Sequence, residues 1–295
     1  MKIHTLDLEF RRRGTVASYL LESDGDLALI ETGPDSTWPR LRAALAEVGV
    51  RPGDIRTVLV THVHFDHAGA AWRLAKEGAT VWVHPAGLCH LADPSKLLAS
   101  ATRIYKDRMG ELWGTMEPIP EDHLRVAENG ARIPVGSTEL LVVESLGHAI
   151  HHNAFLVEGN LFTGDVGGVA IGGGPVLPPT PPPDIDLEAW RKTLGKFRAL
   201  RPDALYPTHF GRREKTAEAL DQLEDELLAW AGFICAGLEA GKGEAALMPE
   251  FEAWANQRLV DAGVDEAGRE AYRVALPFAM NVTGLVRYWQ KRAAP

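Results

Sequence analysis

Cysteine is scarce in this chain. Only two, Cys89 and Cys235, occur among 295 residues, and no paired-cysteine motif surrounds either. A disulfide scaffold and a thiolate metal knuckle are therefore not written into it, and both thiols are expected to be free. Long apolar runs are missing too. Nothing approaches the roughly 20 residues that span a bilayer, and the start, Met1 to Asp7, lacks an apolar stretch with a small-residue cleavage site. The chain is expected to be cytoplasmic. Positive charge is in deficit, with 31 Lys and Arg against 40 Asp and Glu and a net charge of −9. That balance argues against nucleic acid or an anionic membrane as partner. No Gly-x-Ser-x-Gly run marks a serine nucleophile. A small-molecule substrate is the expected partner, and a homodimer is left open.

What is present reads as a soluble globular enzyme, 45% hydrophobic and 24% charged. The length allows one large domain with an appendage. Residues 16–21 and 27–31 read as strands joined by the turn Asp24-Gly25-Asp26. Residues 38–48 carry helical spacing, 57–61 form a β-branched run typical of a buried strand, 68–76 read as helix and 80–84 as another buried strand. Residues 86–125 break this rhythm and are predicted to be a helical insertion. Strands are expected again at 139–144, 154–157, 160–163 and 203–206. Between them lie a Gly/Pro-rich segment, 172–183, expected to be an irregular surface loop, and a helix from the cap Asp186 to about Leu200. From residue 213 onward only helical spacing appears, giving a tail that is either a small domain or a cover. The predicted organisation is a catalytic domain over 1–212 and a helical extension over 213–295.

The chemistry concentrates in Thr61-His62-Val63-His64-Phe65-Asp66-His67. Three imidazoles and a carboxylate fall at a turn between a buried strand and a helix. His62 and His64 can share a direction on extended backbone, and Asp66 and His67 can face the same space from the bend. Neutral imidazole and carboxylate suit zinc, iron or manganese. His148, Asp165 and His209 each follow a different predicted strand, so four strand ends deliver metal-ligand residue types toward one sheet edge, where open α/β sheets place their ligands.

These residues, with Gly147-His148, Phe162-Thr163-Gly164-Asp165 and Pro207-Thr208-His209, resemble the ordered motifs of the metallo-β-lactamase superfamily over roughly residues 3–212. Gly147-His148-Ala149-Ile150-His151-His152 is similar to the G-H-T-x-G-H segment of glyoxalase II-like hydrolases, with Ala149 and His151 replacing Thr and Gly. The resemblance implies an α/β fold, an αββα sandwich with metals at one edge. It assigns His62, His64 and His148 to one metal, Asp66, His67 and His209 to a second, and Asp165 to a bridge. Two divalent ions are implied, zinc first, with iron or manganese as alternatives. Glu31-Thr32-Gly33 stands where the family often has Asp-x-Gly. That acidic residue usually orients a metal-bound histidine, and a longer carboxylate can still do so. His152 matches the second histidine of the glyoxalase-like pattern and is expected behind the ligands or reaching substrate.

The implied chemistry is hydrolysis by a metal-bridged hydroxide, with Asp66 orienting it or passing a proton. A small ester, thioester or lactone is the expected substrate. An RNase Z-like phosphodiesterase and a persulfide-dioxygenase-like mononuclear iron enzyme are the alternatives. Within the insertion, Tyr105, Met109 and Trp113 recur at four-residue steps and are predicted to form one helical stripe. That stripe either packs on the sheet or walls the pocket, where Tyr105 would offer its hydroxyl to the substrate oxyanion.

Overall fold

The computed structural model describes residues 1–293. The elements run β1 (Lys2–Asp7), β2 (Ala17–Ser23), β3 (Asp26–Ile30), α1 (Trp38–Glu47), β4 (Thr57–Leu59), α2 (Phe65–Ala68), α3 (Ala71–Lys76) and β5 (Thr80–Val83). Next come α4 (Leu88–Ala92), α5 (Ser95–Tyr105), α6 (Met109–Trp113), β6 (Leu124–Val126), β7 (Arg132–Val135), β8 (Thr138–Glu144), β9 (Asn153–Val157) and β10 (Asn160–Phe162). The chain closes with α7 (Leu187–Leu200), β11 (Ala204–Tyr206), α8 (Thr216–Glu239), α9 (Glu244–Asp261), α10 (Glu266–Ala275) and α11 (Phe278–Ala293).

The strands form two sheets, ordered β1-β2-β3-β4-β5-β6 and β11-β10-β9-β8-β7. Strand alternation decides what each face meets. In β2, Tyr19 and Leu21 point between the sheets while Leu20 points outward; in β3, Ala28 and Ile30 point in and Leu29 out. In the second sheet Phe155, Phe162 and Tyr206 face inward, and Ala154, Leu161 and Leu205 face the other way. Three apolar layers result. The inter-sheet layer lies in the middle. On one side Leu41, Leu45, Trp72 and Leu74 of α1 and α3 cover the first sheet. On the other, Trp190, Leu194 and Phe197 of α7 join Leu223, Leu227 and Trp230 of α8 over the second. This is the αββα sandwich.

Residues of α8 to α11, including Phe251, Tyr272, Phe278 and Leu285, belong to the same apolar cluster as Leu161 and Leu205 of the second sheet. The tail is thus a cover docked on the sandwich, continuous with its core. No helix among the described residues is long and apolar enough to cross a membrane.

Local chemistry explains most element boundaries. Asp24 and Gly25 both have positive φ, 47° and 87°, as a two-residue turn matching strand twist requires. The Asp186 carboxylate accepts from the Ala189 N–H at 2.9 Å and caps α7. Three strands carry no sequence signal of their own. β1 is an edge strand, β6 has three residues, and β7 contains Pro134, which a sheet edge tolerates.

Two sequence expectations are corrected. The segment 172–183 is irregular, but only its ends lie at the surface: Gly172, Gly173 and Pro183 are exposed, while Val176, Leu177 and Thr180 are buried. Its backbone can be buried because its polar groups find partners. Val176 N–H donates to Gln222 Oε1 at 2.9 Å, and Thr180 N–H donates to Asn281 Oδ1 at 2.5 Å. Nor do Tyr105, Met109 and Trp113 lie on one helix. Helix α5 stops at Lys106, whose φ is 50°, and the chain restarts as α6.

Candidate metal centre

All the strand-end residues singled out from the sequence converge at one edge of the sandwich. The sheets are joined there by backbone hydrogen bonds, Asn153 N–H to Thr61 O at 2.8 Å and Ala17 N–H to Thr208 O at 2.8 Å. The ends of β4, β8, β10 and β11 therefore face a common space. Gly164 makes the approach of β10 possible. Its φ is +52°, and a Cβ there would stand 2.6 Å from both His152 Nε2 and Thr61 Oγ1.

Two groups of donor atoms result, each with its atoms within 4.8 Å of one another: His62, His64, His148 and Asp165 in one, and Asp66, His67 and His209 in the other. In the first, His64 Nδ1 lies 2.9 Å from His62 Nε2 and 3.1 Å from His148 Nε2. Asp165 belongs to both by geometry. Its Oδ2 is 3.3 Å from His148 Nε2, while its Oδ1 is 3.3 Å from His67 Nε2 and 3.5 Å from His209 Nε2. Asp66 closes the second group, with Oδ2 3.6 Å from His209 Nε2.

The far sides of the imidazoles are tied down, which fixes where their lone pairs point. His148 Nδ1–H donates to Pro179 O at 2.8 Å, and His209 Nδ1–H donates to Thr15 O at 2.6 Å. The His148 Nε2 is thereby left as an acceptor facing the site, and the His209 Nε2 is turned to the carboxylates of Asp66 and Asp165. Glu31, buried between the sheets, accepts from His67 Nδ1 at 3.1 Å, from Thr61 Oγ1 at 2.5 Å and from Thr208 Oγ1 at 3.1 Å. Thr61 Oγ1 in turn lies 3.0 Å from His62 Nδ1. One carboxylate thus braces both groups. Glu31→Gln should weaken metal affinity by about 10- to 100-fold with the fold retained; equilibrium dialysis against zinc measures it, and circular dichroism checks the fold.

Electrostatics divide the site. Burial and neighbouring imidazoles push His62 and His64 well below their ordinary value, and burial pushes His148 down as well. These three are neutral rings, the form that binds metal. Burial opposes protonation of His67 too, but Asp165, Glu31 and Asp66 raise it well above that value. Burial would raise Asp165, yet His67, His148 and His209 hold it well below the usual carboxylate range. The residues fit divalent cations on this structure's own terms. His67 Nε2 and Asp165 Oδ1 are buried without a hydrogen-bond partner, an arrangement proteins avoid unless something else satisfies the atoms. The all-nitrogen-and-oxygen donor set suits zinc, iron or manganese.

A cavity of about 540 Å³ opens over the site, with His64, Asp66, Asp165 and His209 in its floor. Tyr105 and Trp113 line it, their rings 5.2 Å apart, although α5 and α6 are separate helices. Met109 does not line it; it packs against the apolar layer of the first sheet. His152 is buried behind His62, with ring centroids 4.9 Å apart and Nδ1 bonded to Ser145 Oγ at 2.8 Å, and it does not reach the cavity. Sequence reading missed the rest of the wall, including Phe10, Ile150, Val274, Leu276 and Met280. It also missed Thr15 and Asn281. Thr208 and Thr61, each beside a candidate histidine of the donor groups, had an available signal in that adjacency.

Comparison with known proteins agrees with this fold. The sequence profile described as the metallo-beta-lactamase superfamily matches residues 11–209. The metallo-beta-lactamase fold-containing protein ST1585 of Sulfurisphaera tokodaii is 29% identical over 158 residues, 52% of this chain and 60% of that protein. An atrochrysone carboxyl ACP thioesterase of Aspergillus fumigatus is 27% identical over 208 residues, 70% of this chain and 54% of its own length. The chain thus matches little more than half of each of these relatives. Among solved structures, the metallo-beta-lactamase family protein TTHA1429 from Thermus thermophilus superposes with a TM-score of 0.71 at 22% identity, over 99% of this chain and 94% of that one.

Proposed function

Because this chain belongs to the metallo-β-lactamase superfamily, we propose that it is a metal-dependent hydrolase of a small ester, thioester or lactone. The observation that carries the reading is Asp165, whose two oxygens reach two separate histidine groups beneath a largely apolar cavity. His62, His64 and His148 would hold one cation, Asp66, His67 and His209 a second, and Asp165 both. Divalent ions bound there, zinc first, would polarise a carbonyl oxygen and bring the pKa of water toward neutrality. Among the ester-like classes the thioester comes first, because one relative is a thioesterase.

The chain's own groups supply the rest. Asp66 is about a quarter exposed at the cavity floor, with side-chain accessibility of 23%. Its carboxyl is brought down to about 2: burial opposes this, and His67 and His209 outweigh it. At neutral pH it is therefore a carboxylate, placed to accept a hydrogen bond from water and orient it. The Tyr105 phenol is pushed up to about 12 by burial and by the Asp66 charge. It stays a hydrogen-bond donor at the cavity wall, suited to an oxyanion.

Purified protein should carry close to two metals per chain and cleave p-nitrophenyl esters, simple thioesters or lactones. Chelation should remove the activity and zinc, manganese or iron restore it, and His64→Ala should remove it. Less than about one metal per chain with no activity restored would sink the reading, as would cleavage of bis-p-nitrophenyl phosphate alone.

A further inference from the structure

The cavity has an apolar wall and a charged lip that hydrolysis alone does not require. Helix α5 turns Leu97, Ala101, Ile104 and Tyr105 toward the cavity, the i, i+4, i+7, i+8 spacing of one helical face. Ala101 is its single buried residue; Leu97 and Tyr105 rest partly on the apolar layer of the first sheet, and Ile104 is left to the cavity and solvent. Across the cavity stand Val274, Leu276, Pro277 and Met280 from the helical tail. Ile104 and Ile150, 47% and 58% exposed, are among the few large hydrophobics left to solvent, and both line this cavity. Exposed apolar side chains gathered around one cleft point to a binding surface more than ones scattered singly do.

The charges are also unusual for a chain of net charge −9. Four cations, Arg11, Lys96, Arg108 and Arg273, line the cavity, with Asp184 as the one acidic lining residue outside the metal groups. Arg108 is paired with Glu111, and Arg273 with Glu266 and Glu270. Arg11 and Lys96 make no ion pair among the described residues.

Resting on the hydrolase reading above, we propose that the substrate is an amphiphilic acyl thioester or ester. Its long apolar acyl group lies along the cavity face of α5, and its carrier is anionic and meets Arg11 and Lys96. In the reaction water supplies the new carboxylate oxygen and the acyl carbon–sulfur (or carbon–oxygen) bond breaks. The carrier leaves as a thiol or alcohol with one of the water protons. Burial of each added methylene is worth about 0.8 kcal/mol, so kcat/KM should rise about fourfold per methylene while the chain still finds apolar wall.

The test uses metal-loaded protein and coenzyme A thioesters from acetyl to decanoyl. Octanoyl-CoA should exceed acetyl-CoA by at least 100-fold in kcat/KM. Ile104→Asp, a change at an exposed position, should lower octanoyl-CoA turnover about tenfold and leave acetyl-CoA within twofold. The double variant Arg11→Glu/Lys96→Glu should lower octanoyl-CoA about tenfold at low salt and leave the neutral octanoyl N-acetylcysteamine thioester within twofold. A flat length series, or equal loss on charged and neutral carriers, overturns the assignment. Binding of the uncleavable thioethers S-octyl-CoA and S-ethyl-CoA, followed by tryptophan fluorescence, separates the two proposals. Tighter octyl binding without any turnover would count against the hydrolase and keep the amphiphile. Equal binding of the two would overturn the amphiphile whatever the turnover.

Discussion

Asp165→Ala should lower kcat/KM by about 10³-fold or more, roughly 4 kcal/mol of lost transition-state stabilisation, and bring metal content below one per chain. No other residue of the centre carries that double consequence. Removing His64 leaves the Asp66, His67, His209 group complete, and removing His209 leaves the first group complete. Asp165 places one oxygen 3.3 Å from His148 Nε2 and the other 3.3 Å from His67 Nε2. Its loss also strips His67 of the carboxylate that contributes most to raising its pKa. Asp165→Asn keeps the shape and removes the charge, so it should retain the fold while losing most metal. Inductively coupled plasma analysis beside ester turnover reads both. Full metal occupancy in Asp165→Ala would contradict the bridging role.

The largest effect on stability is expected at Trp190. Its side chain is fully buried, its Nε1–H donates to Val166 O at 3.0 Å, and its ring lies 5.9 Å from that of His148 at near right angles. Gly147, with φ of +135°, allows this contact, since a Cβ there would come within 2.4 Å of Trp190 Cα and Cβ. Trp190→Ala opens a cavity under the residues that precede His148 and follow Asp165, and it leaves a buried carbonyl unpaired. The cost should be about 4–5 kcal/mol, a fall in Tm on the order of 10 °C, with weaker retention of metal. Trp190→Phe keeps most of the volume and should cost less than half as much. Urea unfolding of the metal-free and metal-loaded forms gives both figures. Equal stability of Trp190→Ala and the parent chain would contradict the packing account.

The convergence of these donor residues was legible because each member is announced locally. His62 and His64 share a direction through a two-residue step, and His148, Asp165 and His209 each follow a short apolar strand. The strand alternation that sorts Leu20 and Leu29 from Tyr19 and Ile30 is likewise a local signal. What stayed hidden depends on distant contacts. The Thr15 carbonyl accepts a hydrogen bond from His209 Nδ1–H across 194 residues, and Asn281 meets Thr180 across 101, and neither residue carries a pattern that announces a partner. The stripe Tyr105, Met109, Trp113 failed for a different reason. Spacing assumes a continuous helix, and the chain resets at Lys106. The two aromatic rings still meet because Phe10 and Phe65 pack against Trp113. The segment 172–183 was misplaced because composition reports what backbone cannot do and is silent on who satisfies it.

One of those hidden contacts bears on how freely this protein can change. The Asn281 side chain in the last helix accepts from Thr180 N–H, the neighbouring Pro179 carbonyl accepts from His148 Nδ1–H, and His148 presents its other nitrogen to the site. The last helix and the metal edge are thus two ends of one short strut. An appended segment that only shaped the substrate cavity could be exchanged with a relative's, as modular parts are. Here such an exchange would alter the set of the histidine along with the choice of substrate. Tail and metal edge are therefore expected to be inherited as a unit: chimeras joined within 183–278, which take residues 179–180 from one parent and Asn281 from the other, should bind metal poorly, and those joined outside 179–281 should not.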